Sequence, residues 1–145
     1  MRVDAMKSAR ILIVDDHAAI RQSLHRTFEE EPEMQVIAEA VDGYDAIELT
    51  RQLQPDIVIM DIQMLRLDGV SATRQITSAW PDIRVIGLST HHSTVYVKAM
   101  LAAGASGYVL KDDMLTDLVE AVEAVSAGRP YLSPALSTSV ASHNL

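Results

Sequence analysis

Five apolar runs of four to six residues alternate with longer amphipathic stretches along this chain, and few folds accept that pattern. The runs fall near 10–14, 35–40, 56–60, 83–88 and 107–110. Apart from Arg10, Gln35, Glu39, Asp56 and Arg84 they are free of charged and amide side chains, as strands are when both faces of a sheet are covered. The stretches between them carry helical stripes, with Ile20, Leu24 and Phe28 on the first, Ala46, Ile47 and Leu53 on the second, and Val95, Ala99 and Met100 on the fourth. The third is bounded by Asp68-Gly69 and Trp80-Pro81. In the last, Leu115, Leu118, Val119, Val122 and Val125 recur at three- and four-residue intervals and are expected to face the sheet, with Asp112-Asp113 at the start and Gly128 past the end. The predicted class is α/β, a five-stranded parallel sheet with helices on both faces.

One such domain accounts for most of the 145 residues. Residues 1–8 are expected to form a flexible leader, 9–127 the domain, and 128–145, rich in Ser, Pro and Ala without periodicity, a linker. No apolar run approaches the ~18 residues of a membrane span, no secretion signal is visible, and there is no cysteine, so a cytoplasmic location is expected. A net charge of −8 argues against a direct grip on nucleic acid, which needs clustered Lys and Arg.

Chemistry gathers where the runs end. Ile11-Leu12-Ile13-Val14 leads into Asp15-Asp16, the third run into Asp61, the fourth into Ser89 and the fifth into Lys111. Taken alone, Asp15-Asp16 would serve as a solvated turn capping the helix near His17, and Asp61 as ordinary turn chemistry. Parallel strands place all five at one sheet edge. There three carboxylates suit a hard divalent cation, and a hydroxyl and an ammonium suit an anion. The matching reaction is phosphoryl transfer to a carboxylate, with Asp61 attacking phosphorus, the cation neutralising oxygens, and Ser89 and Lys111 taking the remaining charge.

At these residues, with DIQM…DG at 61–69 and GASGYVLKD at 104–112, the chain resembles the receiver domain of bacterial two-component response regulators over roughly 9–127. The resemblance implies a flavodoxin-like sheet of order 2-1-3-4-5, with Asp61 as phosphoacceptor. It also implies Mg2+, or Mn2+ in its place, held by Asp15, Asp16, Asp61 and the backbone carbonyl of Gln63. Ser89 and Lys111 would stabilise the phosphoryl group, Ser89 and Tyr108 would form the switch, and Gln63 and His91 would tune its loss to water. His91→Ala is expected to change the dephosphorylation rate and leave phosphorylation intact; an unchanged rate across the His titration range would remove that role.

Such a domain is no enzyme in the usual sense; it is a phosphoacceptor that assists its own phosphorylation and dephosphorylation. Its donor would be a cognate sensor histidine kinase. The GYVLKD phrasing and the GRPYLSP exit look most like the NarL/LuxR branch, which implies transcription regulation through a C-terminal helix-turn-helix output domain that these residues do not include. Further partners would be that DNA-binding domain and a second copy of the chain.

Three positions depart from the family pattern. Leu65 stands where proline is usual, returning an N–H donor to its loop, which is expected to be more mobile. Asp112 follows Lys111 where many receivers have proline, and Thr90 replaces a small residue and is expected to crowd the path to Asp61. A degenerate receiver acting without phosphorylation is therefore the second reading. A flavodoxin-type carrier is disfavoured because Asp15-Asp16 would repel a flavin phosphate, and a Mg2+-dependent aspartyl phosphohydrolase because its DxD nucleophile follows the first strand, whereas DIQ here follows the third.

Overall fold

A computed structural model describes residues 8–90 and 93–136. The chain forms β1 (Ala9–Val14), α1 (Ala18–Glu29), β2 (Met34–Ala40), α2 (Gly43–Leu53), β3 (Ile57–Asp61), α3 (Gly69–Ala79), β4 (Arg84–Ser89), α4 (Thr94–Ala102), β5 (Gly107–Leu110), α5 (Met114–Ser126) and β6 (Tyr131–Leu132). All strands run parallel in the order β2-β1-β3-β4-β5-β6. Every residue of β3 and β5 is buried, which is why those stretches are apolar throughout apart from Asp61 at the end of β3.

Alternating side chains divide the core. Leu12, Val14, Val58, Met60, Val85, Tyr108 and Leu110 meet Ala46 of α2, Ala72 and Ile76 of α3, and Val97 and Met100 of α4. On the other face Ile11, Ile13, Ile57, Ile59, Ile86, Leu88 and Val109 meet Leu24 and Phe28 of α1 and Leu118, Val122 and Val125 of α5. Two helices start on aspartate caps, since the Asp42 and Asp68 side chains accept from Asp45 N–H and Ser71 N–H.

The sheet has six strands where five were expected. Residues 131–136 do not leave the fold as a tether: β6 pairs with β5, Ser133 is fully buried and Leu136 joins the core. A strand two residues long between prolines has no periodicity to read. Two helix faces also differ. Leu115 is 62% exposed because the 3-10 turn at 111–113 shifts the phase of α5 and turns Met114 inward instead. Val95 is 70% exposed and Val97 is buried in its place, in a helix with apolar residues on nearly every side.

Candidate functional site

Parallel register brings the strand ends level. Val14 is beside Met60, Asp61 beside Leu88, and Ser89 beside Leu110, so the residues at or just after each strand end lie at the same edge. Asp15, Asp16 and Asp61 gather there with one ligand atom from each, and one from His17, all within 4.8 Å of one another. Lys111 closes the group from β5, its Nζ 3.0 Å from Asp15 Oδ2 and 3.3 Å from Asp61 Oδ1. The sequence reading missed His17 as a member; its adjacency to the acid pair was the available signal.

The two acids of the pair play different parts. Asp15 is fully buried, so the solvated-turn reading does not hold for it. Its Oδ1 accepts from His17 N–H at 2.8 Å, and its main-chain carbonyl accepts from Arg21 Nη1 at 2.7 Å. Asp16 is exposed, and His17 Nδ1 lies 3.0 Å from an oxygen of each.

Asp61 is 3% exposed, and its Oδ2 has no hydrogen-bond partner among the described residues. Burial first, and then the Asp15 charge, push its carboxyl up to about 6 against the pull of Lys111. For Lys111 burial works to lower the ammonium, but the contacts to Asp15 and Asp61 win and raise it. A buried carboxylate oxygen without a donor, beside two more acids, fits a divalent cation coordinated by oxygen. It does not fit a soft metal that demands thiolates, since the chain has no cysteine.

Ser89 is buried at the end of β4, with its hydroxyl hydrogen-bonded to the phenol of Tyr108, which is fully buried. Burial raises the phenol, and the Ser89 bond partly offsets this. Beside the acids runs a cleft of about 560 Å³, walled by Ile62, Met64, Leu65, Val70 and Tyr96, with Asp16 at its rim. Gln63 also lines it, its amide nitrogen 3.5 Å from the Tyr96 hydroxyl. Leu65 is 80% exposed and Thr90 is exposed; Thr90 does not line this cleft. His91 lies outside the described residues.

The loop after β3 is tied on both sides. Gly69 donates its N–H to the Ile62 carbonyl at 2.8 Å. A Cβ there would come within 2.1 Å of the Asp61 carbonyl oxygen, so only glycine fits. Arg66, in the left-handed region at φ 73°, pairs with Asp42 at 3.2 Å and lies over the Tyr44 ring at 5.5 Å. These contacts bridge α2 to the loop and had no signal in the sequence.

Known proteins resemble this chain in sequence and in fold. Residues 11–123 match the response regulator receiver domain family. The chain is 40% identical over 136 residues to the transcriptional regulatory protein DegU of Brevibacillus brevis, covering 94% of this chain and 56% of that one. It is 34% identical over 132 residues to the response regulator GacA of Pseudomonas aeruginosa, covering 91% and 62%. The solved structure of a LuxR-family two-component response regulator from Aurantimonas sp. SI85-9A1 superposes with a TM-score of 0.91 at 37% identity, over 95% of this chain and 99% of that one. The chain thus spans 56% and 62% of the lengths of these two curated relatives.

Proposed function

The chain belongs to the response regulator receiver domain family, and from that premise we propose that Asp61 accepts a phosphoryl group from the phosphohistidine of a sensor kinase. One observation carries the reading: a buried Asp61 with an unpartnered oxygen, held 3.3 Å from Lys111 and beside two further acids. An Asp61 oxygen attacks phosphorus, the P–O bond forms as the P–N bond to the kinase imidazole breaks, and the imidazole leaves with its electron pair and takes up a proton.

Asp15, Asp16 and Asp61, with the Gln63 backbone carbonyl, would hold Mg2+ or Mn2+, which supplies charge neutralisation at the phosphoryl oxygens when bound. Lys111 orients Asp61 beforehand and then faces the new negative charge. Ser89 donates its hydroxyl to a phosphoryl oxygen, and the apolar wall of Ile62, Met64 and Val70 limits water on one side. Gln63 lies where it would position the water that later removes the group. By these steps the domain assists its own phosphorylation and dephosphorylation without turning over a substrate.

The output would be transcription regulation through a DNA-binding domain joined after the exit segment, with the kinase and a second copy of the chain as further partners. DegU is a transcriptional regulator by name, and the LuxR-family neighbour shares the fold over nearly its whole length. Residues 1–8 as leader and 128–145 as linker remain part of this proposal, the latter with its first residues docked on the sheet. No helix among the described residues is long and apolar enough to cross a membrane.

The test is incubation with acetyl phosphate and Mg2+ followed by intact mass. A gain of one phosphoryl group that vanishes in Asp61→Asn supports the reading. No gain at any Mg2+ concentration overturns it and leaves the phosphorylation-independent module.

A further inference from the structure

His17 stands next to the acid pair as the N-cap of α1, yet its side chain makes no capping hydrogen bond. Its backbone is fixed from both sides, the N–H donating to Asp15 Oδ1 at 2.8 Å and the carbonyl accepting from Arg21 N–H at 3.2 Å. The ring turns toward the acids, with Nδ1 3.0 Å from an oxygen of Asp15 and 3.0 Å from an oxygen of Asp16. The same spacing, about 3.0 Å, is the edge of an octahedron whose metal–ligand bonds are about 2.1 Å long. Asp61 completes the set, since one ligand atom from each of the four residues lies within 4.8 Å of the others. Asp61 is only 3% exposed, and its Oδ2 meets no donor among the described residues. Lys111 does not compete for the oxygen that His17 touches: it pairs with Asp15 Oδ2, whereas the imidazole is at Asp15 Oδ1.

We propose that His17 joins Asp15, Asp16 and Asp61 as a nitrogen ligand through Nδ1, and so sets how strongly this pocket prefers a borderline transition cation such as Co2+ or Ni2+ to Mg2+. The inference rests on the reading of these acids as a cation site. Mg2+ is a hard ion that takes carboxylates, carbonyls and water and sheds its water reluctantly, so an imidazole adds little to its binding. Co2+ and Ni2+ stand higher in the affinity order for nitrogen and oxygen ligands, and an imidazole suits them beside carboxylates. Carboxylates alone would give these ions a modest advantage. A neutral nitrogen in the set widens it without adding charge to a pocket already rich in acids. Ligation uses the neutral ring with its proton on Nε2, leaving the Nδ1 lone pair for the ion. The His17 side chain is 65% exposed, so the imidazole is open to an ion arriving from solvent.

Calorimetric titration of the whole chain with Mg2+ and with Co2+ at pH 7.5 tests this, and the Co2+ complex is read a second time from its paramagnetically shifted proton spectrum. His17→Ala is expected to weaken Co2+ binding about tenfold or more and Mg2+ binding by less than about threefold. The native Co2+ complex is expected to show a shifted imidazole N–H resonance that His17→Ala removes. An equal loss for both ions, or a loss for neither, overturns the nitrogen ligand and leaves the cation site standing. A shifted resonance that survives His17→Ala does the same, since it would come from another histidine such as His25, which pairs with Glu39. A native chain that binds neither ion overturns the ligand and the cation site together. The native spectrum must contain the resonance, so its absence overturns the proposal whatever the variant does, and His17→Gln replaces His17→Ala where the latter does not fold.

Discussion

The Lys111 ammonium lies 3.3 Å from one carboxylate oxygen of Asp61, while the other oxygen of that carboxylate is buried and meets no donor among the described residues. Three acids share one edge with this lysine and His17, so among the described residues the pocket carries more carboxylates than cations to offset them. Folding this sheet edge therefore stores an electrostatic cost, and the cost is measurable.

Asp61 holds its proton to about 6 in the folded chain, against 3.8 for an unperturbed carboxyl, because of burial and the Asp15 charge. The folded state therefore binds more protons than the unfolded one between these values, and in chelator stability falls as pH rises from about 4 to about 6, then levels off. The span corresponds to about 3 kcal/mol at most. Asp61→Asn should flatten this dependence and gain about 2 kcal/mol at pH 7.5. Urea midpoints at pH 4 and 7.5 check it, and a less stable variant at pH 7.5 would contradict the account.

Removing the lysine should act the other way. Lys111→Met leaves Asp15 and Asp61 facing one another without a cation, at a cost of about 2–4 kcal/mol in chelator. Saturating Mg2+ or Mn2+ should return part of the loss, and in the native chain an ion at a hundred times its Kd should add about 2.7 kcal/mol. Thermal melts with and without the ion measure both. A native chain whose Tm ignores Mg2+ would rule out a cation at these acids.

Docking of the exit segment on β5 includes one buried side-chain bond beside its backbone bonds and the buried Leu136. Ser133→Ala takes the acceptor from Leu110 N–H, which is sealed from water, so the loss should be about 1–2 kcal/mol. Ala135→Ser, at an exposed position in the same segment, should change stability by less than about 0.5 kcal/mol. Equal effects in chemical denaturation would mean that the segment contributes no stability through that bond.

These residues also mark what was legible in the sequence. The strands were, because a parallel strand covered on both faces must be an unbroken apolar run, and β5 and β3 up to Asp61 are. The site residues were legible for the same reason: Asp15, Asp61, Ser89 and Lys111 each stand at or just after the end of such a run, so finding the strands located them. Facing was harder. A helix as apolar as α4 offers no single stripe, which is how Val95 was placed inward when Val97 is the buried one. The Arg66 contacts with Asp42 and Tyr44 depend on a left-handed residue bringing a loop to another helix, and β6 on a hydroxyl finishing a ladder; neither leaves a periodic trace. Trp80, the one tryptophan, caps the far end of α3 from Gly69, so it is poorly placed to report on Asp61 and mass is the better readout.

Gly69 joins the fold to the chemistry most tightly. A Cβ added there would lie 2.1 Å from the Asp61 carbonyl oxygen and 2.8 Å from the Ile62 Cα, both backbone atoms that no rotamer change can move. Gly69→Ala should therefore push the end of β3 aside, costing about 2–4 kcal/mol and shifting the Asp61 carboxylate from its place beside Lys111. Displacement by a fraction of an ångström should slow labelling by acetyl phosphate about tenfold or more, measured in the fraction that remains folded. Gly128→Ala is the matched control: it also meets strain, at φ 85°, but beyond its chain neighbours no atom of the described residues lies within 4 Å of its Cβ, so it should cost about 1 kcal/mol and leave labelling unchanged. If both variants lose stability alike and both label at the native rate, the close approach at Gly69 does not position the phosphoacceptor.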